Sequence, residues 1–196
     1  LGNIILYGYS YSNASIDKTE NNLGGRDMWI IKTDANGLII WDKTFGTTQN
    51  NDISGSIYIN NNEILVTYNN SLSKLSSIDG SIISTKAGFY GNFLHNLIAP
   101  SSIKDSYIIG NRVNGNYTIH NVDDLGNTHQ SITISTIGSD YPNSLLVEGD
   151  NVIITGYSFS GIGNDKTTPN YGNTDAWVVK ANAVTLTINE NYQSTI

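Results

Sequence analysis

Cysteine is absent from the 196 residues, which removes disulfide frameworks, thiolate metal sites and a cysteine nucleophile, and leaves the redox compartment unreadable from that residue. Charge is scarce as well. Only 14% of residues are Asp, Glu, Lys or Arg, the formal balance is −7 and the pI is near 4.7, so a basic phosphate-tracking groove is not expected and nucleic acid is a poor partner. Long apolar runs are missing too. No segment approaches the roughly 18 consecutive apolar residues of a spanning helix, so the chain reads as soluble, without direct membrane insertion. It opens Leu-Gly-Asn with neither an initiator Met nor a charged and apolar leader, which reads as a processed or incomplete piece of a longer protein.

Polarity comes instead from Asn, Gly, Ser, Thr and Tyr, residues that suit short strands and tight turns and suit long helices poorly. The most informative feature is a duplication. Residues 3–34 (NIILYGYSYSNASIDKTENNLGGRDMWIIKTD) lie without a gap over residues 151–182 (NVIITGYSFSGIGNDKTTPNYGNTDAWVVKAN) at a constant offset of 148, with Gly-Tyr-Ser, Asp-Lys-Thr and Asp-x-Trp in register. Such a match means a repeated structural unit.

Strand-like runs bounded by Gly, Asn and Asp fall at 4–9, 28–33, 38–44, 53–59 and 63–68 and read as one four-stranded meander with a lead-in strand. The pattern continues through 72–78, 81–86, 94–98 and 106–109, then 117–122, 128–135, 143–148 and 151–157. The turns 34–37, 60–62, 79–80 and 124–127 carry residues that tolerate positive φ, as tight hairpins require. The turn glycines Gly37, Gly80 and Gly126 are 43 and 46 residues apart, a propeller-blade period. The expected fold is therefore all-β: a single β-propeller domain over 1–196 of four-stranded antiparallel blades, with blades near 27–69, 72–112, 116–157 and 175–196 and a lead-in strand at 3–9. About three full blades with partial ones fall short of most closed rings, so an arc of a larger ring is expected.

The segment from Asp27 to Gly46, with Trp29, Lys32, Asp34, Gly37, Trp41, Lys43 and Phe45, resembles the D-x-W-[VI]-x-K-x-D-x-x-G-x-x-x-W-x-K-x-[FY]-G repeat of secreted bacterial β-propeller proteins. Asp175, Trp177 and Lys180 match its opening again, whereas residues 72–86 and 117–130 lack the Trp. Proteins with this repeat are similar to substrates of the type IX secretion system. The resemblance implies export across an outer membrane and an extracellular or cell-surface location, not a defined reaction.

Trp29, Trp41 and Trp177 could stack on sugars, but their place in repeated strands points to core packing. Asp27, Asp34, Asp52 and Asp175 could serve acid–base or calcium chemistry; recurring beside turns, they read as hairpin caps that accept backbone N–H groups. The loop opened by Asp34 has Leu38 at the fifth position and no Glu at the twelfth, so the oxygen count for calcium fails and no metal site is expected. His95, His120 and His129 show no ligand spacing, no G-x-S-x-G is present, and the four glutamates Glu20, Glu63, Glu148 and Glu190 are scattered. No catalytic set and no cofactor is expected, and the chain reads as a non-enzyme.

What exceeds structural need is a pair of long insertions, residues 11–26 and 159–174, read as inter-blade connections. With 46–51, 88–92 and 138–143 they are expected to share one rim carrying Tyr11, Asp17, Lys18, Phe45, Tyr90, Tyr141, Phe159, Asp165, Lys166 and Tyr171, a mixture suited to protein or glycan contact. A competing reading has the two Asp-Lys pairs simply fold their own loops. The expected function is a non-catalytic binding or display module of an exported protein. Alternatives are a bound component or substrate of an outer-membrane secretion or gliding assembly, or a propeller lyase or hydrolase using Lys32, Lys180 and His120 on inward first strands.

Overall fold

The computed structural model describes residues 2–48, 55–60, 62–68, 71–88 and 96–194. Among them every regular element is a strand. The first unit, Leu1–Ala87, holds β1 (Ile4–Ser10), β2 (Asp27–Thr33), β3 (Ile39–Phe45), β4 (Ser56–Asn60), β5 (Glu63–Tyr68), β6 (Ser71–Ser76) and β7 (Ile82–Ala87). The second, Gly88–Ile196, holds β8 (Leu97–Pro100), β9 (Ser106–Val113), β10 (Asn116–Asp123), β11 (Thr128–Ile134), β12 (Asp140–Glu148), β13 (Asn151–Ser158), β14 (Asp175–Asn182) and β15 (Ile188–Ser194). Neighbours in sequence are neighbours in each sheet: β1-β2-β3 and β4-β5-β6-β7 in the first unit, β8-β9-β10-β11 and β12-β13-β14-β15 in the second, all antiparallel.

One turn recurs at the last hairpin of each sheet, and its chemistry is local. Asp34 Oδ1 accepts from the N–H groups of Asn36 (2.8 Å) and Leu38 (2.9 Å), and Asp123 Oδ1 accepts from Leu125 (3.0 Å) and Asn127 (2.7 Å). Asn182 Oδ1 does the same for Val184 and Thr185, and Asp79 for Ser81. Gly37, Gly80 and Gly126 have φ of 87°, 72° and 79°, and next to each turn the ladder slips by one residue: at Lys32/Thr33, Lys74/Leu75 and Asn121/Val122. A left-handed residue with an adjacent bulge joins two strands without splaying them. At the fourth hairpin Leu186 takes the left-handed position with φ 48°, and the slip sits at Lys180/Ala181.

The expected blade limits 27–69, 72–112, 116–157 and 175–196 are out of phase with these sheets. The Asp-x-Trp motif does not open a sheet. It opens β2 and β14, and β14 is the third strand of its sheet. The lead-in strand β1 pairs along its length with β2, from Ile4↔Thr33 to Ser10↔Asp27, while β4 and β5 join β6 and β7. Repeat phase and sheet phase thus differ because the motif residues serve the last hairpin of the sheet and its turn rather than the sheet boundary.

Each unit has its own core. In the first, Met28, Ile30 and Phe45 meet Ile64, Val66 and Leu75 between the two sheets. In the second, Ile108, Tyr117, Ile119 and Ile134 pack on Val152, Ile154, Trp177 and Val179. Trp177 is fully buried, its ring centroid 4.8 Å from that of Tyr117. Trp29 and Trp41 are half-buried, and their indole N–H groups donate to Asp42 Oδ2 (2.8 Å) and Ser77 O (3.3 Å).

Candidate functional site

Residues 159–174 join β13 to β14, and residues 11–26 join β1 to β2; each is a hairpin loop within a sheet, not the inter-blade connection expected. In the second unit this loop lies against residues 135–139, which run from β11 to β12. Asp165 Oδ2 accepts from Ser135 N (2.7 Å), Asp165 N donates to Ser135 O (3.0 Å), and Phe159 N donates to Ser139 O (2.9 Å). Beneath it is a buried polar knot. Ser160 Oγ lies 3.2 Å from Asp140 Oδ1 and 2.9 Å from Thr136 Oγ1, Thr136 Oγ1 also donates to Asp140 Oδ2, and Gly138 N donates to Ser160 Oγ at 2.9 Å. Lys166, 1% exposed, donates from Nζ to Thr168 O at 2.9 Å. Burial pushes its ammonium below the usual lysine range, opposed by the charges of Asp175 and Asp140.

Next along β12 and β13 is an aromatic cluster. The rings of Tyr141 and Tyr157 stack with centroids 4.8 Å apart and planes 10° from parallel, and Phe159 stands edge-on to both at 6.1 Å. The Arg112 guanidinium covers Tyr141 at 4.1 Å while its Nε donates to Asp140 O at 2.9 Å. Phe159 is 48% exposed, and Ile137, Ile162 and Tyr171 are exposed on the same loops. Ile137 lies over Gly163, where an added Cβ would come within 2.7 Å of its Cγ2. Tyr141 thus lies against both Tyr157 and the Arg112 guanidinium, while Phe159, edge-on to the tyrosines, is the exposed ring of the cluster and offers apolar contact.

The first unit anchors its loop differently. Asp42 accepts from Thr19 N (3.0 Å), Thr19 Oγ1 (2.6 Å) and Trp29 Nε1; burial alone would raise its carboxyl, but these donors outweigh it and hold the group below the ordinary range. Glu20 pairs with Lys43 at 2.9 Å and accepts from Thr44 N at 2.7 Å. Tyr11 is exposed and edge-on to Tyr9 at 6.5 Å, and Arg26 covers Tyr9 at 4.5 Å.

Of the expected rim residues, Tyr141 and Phe159 are brought together, Tyr171 is exposed on the same loop, and Asp17 and Tyr11 are exposed on the first unit's loop. Lys18 and Lys166 are corrected: they are 3% and 1% exposed and tie their own loops through Glu20 O and Thr168 O. Asp165 likewise bonds to the Ser135 backbone. Tyr90 lies outside the described residues. Arg112 and Tyr157 were missed; Tyr157 aligns with Tyr9 in the duplication and could have been found there, whereas nothing in the sequence marks Arg112. His120 is buried on β10, with Nδ1 2.6 Å from Ser131 Oγ and Nε2 3.3 Å from Asn111 Oδ1, and burial lowers its pKa to about 4. Lys32 and Lys180 lie on β2 and β14, so none of the three occupies a first strand.

No family profile and no curated protein matches the sequence. Among solved structures the chain is similar to the Pan2 WD40 domain of Neurospora crassa, with a TM-score of 0.56 and 15% identity over 86% of this chain and 49% of that one. It is also similar to the quinohemoprotein alcohol dehydrogenase of Comamonas testosteroni, with a TM-score of 0.54 and 14% identity over 97% of this chain and 36% of that one. The chain thus spans about half and about a third of the lengths of those proteins. At such identity the likeness carries the fold alone: this is a partial β-propeller, with three four-stranded antiparallel sheets and one of three strands among the described residues.

Proposed function

We propose that the chain is a non-catalytic binding module, and that its ligand docks on the face formed by Arg112, Tyr141, Tyr157 and Phe159. The observation that carries the reading is the stacked pair of tyrosines beside a half-exposed Phe159 with no acid or base among them. Aromatic and Arg side chains are the groups that dominate binding surfaces, and Ile137 and Ile162, exposed on the neighbouring loops, favour a protein partner over a glycan, since aliphatic side chains add apolar area without a stacking plane. His120, the buried histidine, is committed to Ser131 and Asn111, which supports a structural rather than a catalytic role. The Asp27 to Gly46 resemblance supports display on the surface of an exporting bacterium.

The purified chain is expected to release no new reducing ends from a panel of polysaccharides, to bind cells of an exporting bacterium, and to lose that binding at least about tenfold on Phe159→Ala with an unchanged Tm. Turnover of any polysaccharide, or full binding by the variant, contradicts the reading. Retention of binding after protease treatment of the cells would turn the ligand into a glycan.

A further inference from the structure

Arg112 stands at a position where the duplicated hairpin carries a tyrosine. Tyr9 pairs with Met28, six residues before the turn residue Asp34, and Tyr157 pairs with Ala176, six before the turn residue Asn182. Arg112 pairs with Tyr117, six before Asp123 of the corresponding turn. The three strands share the backbone register at this point and differ in the side chain. The fold therefore accepts an aromatic ring here and does not itself call for a cation.

The guanidinium is fixed but not paired. It lies over the Tyr141 ring with Cζ 4.1 Å from the centroid, and Nε donates to Asp140 O at 2.9 Å, which uses one of its five N–H groups. Neither Nη1 nor Nη2 has a hydrogen-bond partner among the described residues, and neither is enclosed, in contrast to the Nε of Arg26. No carboxylate of the described residues forms an ion pair with Arg112, and that of Asp140 is taken by Thr136 and Ser160. Acids outnumber bases by 17 to 10 in this chain, yet none answers this cation. A guanidinium held by its Nε and its face presents the Nη1–Nη2 edge, which receives both oxygens of a carboxylate, with little side-chain freedom left to lose. Phe159, the exposed ring of the cluster, lies 6.1 Å from the same Tyr141, so a cation and an apolar ring stand together within reach of one short extended segment.

We infer that Arg112 is the anchor for an acidic side chain of a partner protein: the segment that docks on this cluster sets an Asp or Glu on the Arg112 fork and an aromatic or aliphatic residue against Phe159. The inference rests on the binding reading proposed above and adds the chemistry of the ligand. The apolar residue supplies most of the contact, and the carboxylate fixes the register and excludes segments that lack it.

The probes are two fluorescent peptides, Gly-Phe-Ser-Glu-Ser-Phe-Gly and the same peptide with Gln for Glu, in which alternate side chains share a face. Each is titrated onto the full chain by anisotropy. Saturable binding of the Glu peptide is expected, about tenfold tighter than that of the Gln peptide, with the preference shrinking as salt is raised. Arg112→Gln is expected to remove the preference. Arg112→Lys, which keeps a cation over Tyr141 but has no fork, is expected to keep the wild-type circular dichroism and to lose most of the preference as well. Phe159→Ala is expected to weaken both peptides together. Equal binding of the two peptides by the wild-type chain, or a preference that survives both Arg112 variants, overturns the inference; if Phe159→Ala still weakens both peptides, the proposed binding surface stands without the acidic anchor. Binding of neither peptide also overturns the inference, and the proposed function then rests on its own cell-binding assay. A phosphoserine peptide bound more than about tenfold tighter than the Glu peptide overturns it in favour of a phosphate. A dimer in sedimentation that Arg112→Gln dissociates, with no peptide binding, overturns it in favour of a second copy.

Discussion

At the scale of single residues, His120 ties stability to pH. Its imidazole is enclosed, bonded to Ser131 and Asn111, and burial holds its pKa at about 4 against an ordinary 6.5. The folded state therefore disfavours the protonated ring, and the unfolded chain takes up the proton first as pH falls. Its contribution is complete above pH 6.5 and is lost as pH falls toward 4, by roughly 3 kcal/mol at most. Urea midpoints are expected to fall across that window, and His120→Gln to flatten the fall. Below it, Asp34, Asp79 and Asp123 act: the first two are held down by bonds from Leu38 N and Ser81 Oγ, and in Asp123 burial is outweighed by bonds from Asn127 and Leu125. Their contributions are present above the ordinary carboxylate range and lost as pH drops through it. These turns were legible in the sequence, because Asp, Asn and Gly encode them within five residues. The inner knot was not, because Asp140 meets Ser160 and Thr136 only after β12 and β13 pair.

At the scale of elements, the two copies of one hairpin make the fold testable against itself. Gly156→Ala is expected to cost about 2 kcal/mol or more, since its Cβ would overlap Tyr141 O, while Gly8→Ala is expected to lie within about 0.5 kcal/mol of wild type. The loops offer a second contrast. Lys166→Met strips the buried ammonium facing Asp140 and Asp175 and is expected to destabilise by about 2 kcal/mol, whereas Asp17→Ala on the exposed loop of the first unit is expected to be near neutral. Urea titrations of the four variants check both pairs. The duplication was plain in the sequence, but not the pairing phase. Asp27 and Asp175 head strands whose partners, β1 and β13, precede them, and a repeat match cannot reveal whether a sheet begins before or after its most distinctive strand.

The whole chain combines two compact units, each a pair of antiparallel sheets closed on its own aliphatic core, with little charge to steer a partner. Binding through the aromatic cluster proposed for the second unit would rest on shape and apolar contact rather than on net charge. The measurement that tests this most directly is photo-crosslinking with a benzophenone amino acid at position 159 on living cells, with position 128 at the far end of β11 as control. A discrete adduct from position 159 alone, lost on Tyr171→Ala, is the result predicted here. Equal labelling from both positions, or none from 159, would contradict it.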